Sequence, residues 1–138
     1  MAVTVNIGAF KHVPFIDDIV FEGHDWSAAS FWMQVRPSLG DTGTPLINLT
    51  TQTAGTQGIS CTYDPAFSYT TEMGTLETAP ASKVLIHITE ATLEALALAN
   101  PAYSNLTLKY DLQVQPSGGV KSVEASGDFI IYPGSTLS

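Results

Sequence analysis

The sequence predicts a mainly-β domain, a sandwich or barrel carrying one short helix, and three observations carry that prediction. Turn-forming residues recur at short intervals, the runs between them alternate apolar and polar residues, and only residues 89–99 have a helical composition. The punctuation falls at Gly23, residues 40–45, residues 55–58, Asp64-Pro65, Gly74, Pro80, Asn100-Pro101, residues 116–119 and Pro133-Gly134.

Between these turns the sequence predicts strands over 19–21, 31–36, 46–49, 59–63, 67–71, 83–88, 106–114 and 120–132. In the second run Phe31, Met33 and Val35 share one face, while Trp32, Gln34 and Arg36 share the other. The cleanest alternation sets Leu106, Leu108, Tyr110, Leu112 and Val114 against Thr107, Lys109, Asp111 and Gln113. That pattern belongs to an antiparallel sheet with one solvated face. Residues 89–99 are rich in Ala, Leu and Glu; Thr89 can cap a helix there, Glu90 favours its positive end, and Asn100-Pro101 stops it. Val3, Val5 and Ile7 alternate like a strand, but Gly8 and Pro14 interrupt the continuation of that pattern. Residues 1–15 therefore read as an N-terminal arm or an edge strand, and residues 16–138 as a single domain.

At 138 residues the chain is long enough to bury a core without covalent staples. Hydrophobic residues make up 44% and charged residues 13%, about half the charged share usual for soluble domains. Much of the polar surface must be neutral Thr, Ser, Asn and Gln, which suits faces that work against other protein. Five basic residues against thirteen acidic ones give a net charge of -8 with no cationic cluster, so neither nucleic acid nor an anionic membrane is an expected partner. The N-terminus shows no basic region followed by a long apolar stretch, so synthesis in a cytoplasm is expected. The acceptor-like triplets Asn48-Leu49-Thr50 and Asn105-Leu106-Thr107 are read as chance matches in that setting.

Residues that could carry chemistry are scattered. Cys61 is the single cysteine, which excludes an intrachain disulfide, and its apolar-alternating surroundings predict a buried, inert thiol. His12, His24 and His87 lie far apart; His87 reads as packed on a strand and His24-Asp25 as a locally hydrogen-bonded turn, with no Gly-x-Ser-x-Gly elbow to support a hydrolase. Asp17, Asp18, Glu22 and Asp25 form the densest acidic group, but the spacing of a calcium loop is absent. The stretch Gly40-Asp41-Thr42-Gly43-Thr44 lacks the lysine and following helix of a phosphate loop and reads as a turn. No catalytic residue, metal or cofactor is expected. The aromatics Trp26, Phe31, Trp32, Tyr63, Phe67 and Tyr69 are of the kind that floors a sugar site, so a cell-surface glycan stands as an alternative ligand.

Taken in order, several short segments resemble a known group of proteins. Residues 21–29 (Phe-Glu-Gly-His-Asp-Trp-Ser-Ala-Ala), 33–37 (Met-Gln-Val-Arg-Pro), 45–49 (Pro-Leu-Ile-Asn-Leu), Gly58-Ile59, Tyr110-Asp111-Leu112 and 127–131 (Gly-Asp-Phe-Ile-Ile) look like the small tail-associated virion proteins of bacteriophages. They are similar also to the N-terminal domain of phage baseplate upper proteins, whose strand, arginine, glycine-aspartate turn and proline-leucine strand correspond here to Val35-Arg36, Gly40-Asp41-Thr42-Gly43 and Pro45-Leu46. The resemblance implies an immunoglobulin-like antiparallel β-sandwich in the virion, a tail, baseplate or tail-fibre attachment adaptor with no catalytic residues. No long helix or collagen-like extension follows the domain, so an attachment subunit is expected rather than the fibre itself. Its expected partners are other virion proteins and further copies of itself. Trp26 and Trp32 are the candidate contact anchors, and Thr107, Lys109 and Gln113 the candidate contact row of the polar strand face. A capsid decoration protein and a carbohydrate- or receptor-binding module are the alternatives.

Overall fold

Strands of alternating sequence bury one row of side chains and need a second apolar layer to cover it. A computed structural model supplies that layer as a second sheet; it describes residues 3–10, 13–38, 43–97 and 105–132. His12 and the turns expected at 40–42, Asn100-Pro101 and Pro133-Gly134 lie outside the described residues.

Among the described residues there are nine strands and one helix, in the order β1 (Val3–Thr4), β2 (Ile7–Phe10), β3 (Phe15–Glu22), β4 (Ser30–Arg36), β5 (Ile47–Thr50), β6 (Gly58–Thr70), β7 (Leu76–Ile88), α1 (Glu90–Ala97), β8 (Leu106–Gln115) and β9 (Ser122–Tyr132). The fold is mainly β with one short helix. The larger sheet runs β9-β8-β4-β5, with β1 and β2 both paired along the free side of β9; the smaller is β3-β7-β6. Phe31, Met33, Val35, Leu108, Leu112, Phe129 and Ile131 from the larger sheet join Ile59, Val84, Ile86 and Ile88 from the smaller in one buried cluster, with Leu93 of α1.

Two expectations are corrected. The pairing is not antiparallel throughout, because β1 and β2 run parallel to β9. The N-terminal segment reaches that edge from the side opposite β8, and Gly127 and Tyr110 explain how it is held. Tyr110 lies directly across from Gly127 in the β8–β9 ladder, and its hydroxyl donates to the Val5 carbonyl at 2.5 Å. The Asp128 amide donates to Asn6 Oδ1 at 3.0 Å, so Val5 and Asn6 bridge the two short strands.

The second correction concerns two prolines. The sequence predicts a turn at Asp64-Pro65 and a break at Pro80, yet β6 and β7 run through both as one long hairpin. The ladder shifts register between Asp64 and Phe67, so Pro65 and Ala66 bulge opposite Pro80. A bulge needs no ladder hydrogen bond there, and the missing proline amides cost nothing. The Pro80 carbonyl instead accepts from the Gly23 amide at 2.7 Å.

The helix forms where expected. The Thr89 carbonyl accepts from the Leu93 amide at 3.2 Å, and Thr89 Oγ1 accepts from Thr92 N at 3.4 Å. Gln57 Oε1 locks this end, accepting from Thr89 N at 2.9 Å and Thr92 Oγ1 at 2.8 Å.

The connection from β3 to β4 is pinned by Ser82, a fully buried polar residue. Its hydroxyl donates to the His24 carbonyl at 2.8 Å and accepts from the Trp26 amide at 2.9 Å. Ser82→Ala strands both backbone groups and is expected to lower stability by about 1–3 kcal/mol. Urea denaturation at an unchanged m-value would show it; an unchanged midpoint would count against this role.

Candidate interaction surfaces

The outer face of the larger sheet collects the polar half of each alternating strand. Pairing of β4 with β8 sets Trp32 beside Gln113, Gln34 beside Asp111 and Arg36 beside Lys109, while β5 adds Thr50 and Asn48 on the other flank. Arg36 and Lys109 would repel as direct neighbours, but each has its own acceptors. Arg36 donates to Gln34 Oε1 at 2.9 Å and to the Gly43 carbonyl, and Lys109 forms an ion pair with Asp128. Lys121 places its ammonium 3.9 Å from the centre of the Trp32 ring.

Four of the five residues singled out from the sequence, Trp32, Thr107, Lys109 and Gln113, therefore share this face. Trp26 does not. It is 4% exposed, wedged against Phe21 at 4.8 Å and Phe31 at 6.4 Å between ring centres, with the His24 ring stacked on it at 4.5 Å. Its place in a turn hid this from the sequence, since a turn has no periodicity to say which way a side chain points. Trp26 is a core residue and offers a partner nothing.

Asp111 sits half-buried in the middle of the polar face. Burial raises its carboxyl above the ordinary 3.8, with Arg36 pulling the other way. The folded chain then holds this proton more tightly than the unfolded chain, so the ionised form subtracts stability above that window, and the penalty fades as pH falls through the raised value toward 3.8. Asp111→Asn is expected to melt higher than the parent at pH 7, the gap closing by about pH 3. A gap independent of pH in paired thermal melts would contradict the assignment.

The remaining chemical candidates are dispersed. Asp25 does not engage His24; its carboxylate accepts from the Ser27 amide at 3.1 Å and hydroxyl at 2.7 Å, and these bonds hold its pKa below the usual value. Asp17 and Asp18 fall on opposite faces of β3, paired with Ile86 and Leu85 respectively. No group of three or more His, Cys, Asp or Glu side chains able to hold a metal occurs among the described residues. Cys61 is half-buried rather than buried, beside a shallow cleft of ≈ 300 Å³ that also borders Ser60 and Thr62. Burial pushes its thiol up, which keeps it protonated and a poor nucleophile near neutrality.

Two further surfaces emerge only in the folded chain. The hairpin of β6 and β7 outruns the smaller sheet: β3 pairs with β7 only from Ala81 onward, so residues 67–80 form a two-stranded ribbon. Met73 at its turn is 93% exposed and Leu76 70%. The second is a groove where the edge of β3 away from β7 faces β1. The signal for the ribbon was the run of strand-forming residues on both sides of Gly74, which the two prolines masked. No protein-family model matches the chain, and no curated protein matches it in sequence.

Proposed function

We propose that this chain is a non-enzymatic structural protein of a bacteriophage virion, a tail, baseplate or tail-fibre attachment adaptor built as an immunoglobulin-like β-sandwich. The ribbon is the observation that carries a contact role. A two-stranded ribbon is at best marginally stable in water, and this one holds Met73 and Leu76 in solvent. A surface of that kind gains its burial from a neighbouring protein, either another virion component or a further copy of the chain. The order of the phage-like segments along the sequence directs the reading to the virion, and the neutral face around Trp32 and Gln113 offers a second contact area.

The carbohydrate alternative is weakened by Lys121, which covers one face of the Trp32 ring that a sugar would stack on. Mass spectrometry of purified particles tests the proposal. The chain should be found in stoichiometric amount, and particles that lack it would end the virion reading. Density for it on the shell instead of the tail would replace the adaptor with a decoration protein.

A further inference from the structure

Among the described residues both sheets end on the same side of the molecule with an edge that no strand pairs. β3 pairs only with β7, and among the described residues no strand pairs along its other edge over Phe15–Glu22. Among the described residues β1 and β2 likewise pair only with β9. Between these two edges runs a groove of ≈ 570 Å³ walled by Val3, Val5, Ile19, Val20 and Phe21, with Glu22 and Glu124 at its rim. It continues into a narrower cleft of ≈ 110 Å³ beside Asn6, Asp17, Asp18 and Ile19. An exposed eight-residue edge with apolar side chains is a ready template for an added strand, since alternate amides and carbonyls point away from β7; the Asp18 amide donates locally to Asp17 Oδ1 at 2.8 Å.

The side chains of β3 say which strand fits. On the inner row Phe15, Ile19 and Phe21 surround Asp17; on the outer row Ile16 and Val20 surround Asp18, and Glu22 closes the end. Acid residues in mid-strand disfavour a second copy. Two β3 strands meeting antiparallel about a twofold axis bring two Asp17 and two Asp18 carboxylates into neighbouring positions, where like charges repel. The described cations Arg36, Lys83, Lys109 and Lys121 belong to other strands or turns and none lines the groove.

We propose that this groove accepts an extended segment of a different protein, paired antiparallel to β3, with Lys or Arg opposite Asp17, Asp18 and Glu22 and apolar residues opposite the rest. The inserted strand extends the smaller sheet, fills the space between the edges and covers the exposed Ile16 and Val3. This strand-acceptor role does not rest on the virion reading, which concerns the ribbon and the particle.

The test titrates the full chain with the peptide Lys-Val-Thr-Val-Lys-Lys-Val-Val, ordered to oppose residues 22 down to 15, and with its counterpart bearing Glu at every Lys. The lysine peptide should bind at least tenfold more tightly, as expected for three cross-strand ion pairs, and should slow amide exchange in residues 15–22 at least tenfold. Asp17→Lys combined with Asp18→Lys should reverse the preference; these side chains are exposed, and Asp17→Asn with Asp18→Asn and Glu22→Gln, which should abolish it, serves if the charge reversal disturbs folding. Equal affinity for the two peptides, binding of neither, protection elsewhere than residues 15–22, or protection of those residues by self-association without peptide would each overturn the proposal. Loss of the chain from purified particles would leave it standing.

Discussion

Gly127→Ala is expected to destabilise the chain by about 2–5 kcal/mol and to release the N-terminal strands from the larger sheet. Gly127 has a φ of +157°, and an added Cβ would lie 2.5 Å from the Val5 carbonyl oxygen and 2.9 Å from Asn6 Oδ1. Neither neighbour can give way cheaply: the carbonyl is backbone, held by the Tyr110 hydroxyl, and Asn6 Oδ1 accepts from the Asp128 amide. The cost has two parts, strain in the backbone and a collision that pushes Val5 outward. Chemical denaturation reads the first, and hydrogen exchange localised to residues 3–10 reads the second. A variant of parental stability, with those amides still protected, would contradict the packing described. The Tyr110 hydroxyl offers an independent handle on the same contact, because burial has pushed its pKa up to about 12. The folded chain resists ionising it, so stability should fall as pH rises from the ordinary value of 10 toward 12, and Tyr110→Phe should lose that component of the alkaline transition.

The two tryptophans should behave oppositely. Trp26→Ala empties a site walled by Phe21, Phe31 and the His24 ring, and a loss of about 3–5 kcal/mol is expected for deleting a buried indole. Trp32→Ala removes a half-buried ring on the outer sheet face and one cation–π contact, so a loss of about 1 kcal/mol or less is expected. Paired urea titrations followed by circular dichroism distinguish them. Equal losses would mean that Trp32 is structural and that the polar face is no surface for a partner.

This contrast shows how far the sequence could be read. Strand β8 was legible to within a residue, because its inward Leu108, Tyr110, Leu112 and Val114 are all buried while Thr107 and its polar companions reach solvent. The helix was legible through Thr89, whose cap on Thr92 is local chemistry, whereas the bonds that Gln57 adds to the same end come from a distant turn and left no local signal. Pro65 and Pro80 misled for a physical reason: each breaks a strand only where its amide is needed, and a bulge removes that need without leaving a mark in the periodicity. The face of Trp26, the parallel attachment of β1 and β2, and the groove beside β3 all depend on which distant strands meet. Such pairings are set by register and sheet order, which alternation within one strand does not encode. The polar row of β8 was visible for the opposite reason, since Thr107, Lys109 and Gln113 inherit their common face from alternation within a single strand.

The proposed role has the chain burying its exposed ribbon against neighbouring protein, and Met73 reports on that contact directly. In the free chain Met73 is 93% exposed while Met33 is fully buried, so mild peroxide treatment should convert the first to the sulfoxide and spare the second. If the proposed virion role holds, Met73 in intact particles should oxidise at least tenfold more slowly than in the free chain, with Met33 unreactive in both. Met73 oxidising as fast in the particle as in solution would contradict it.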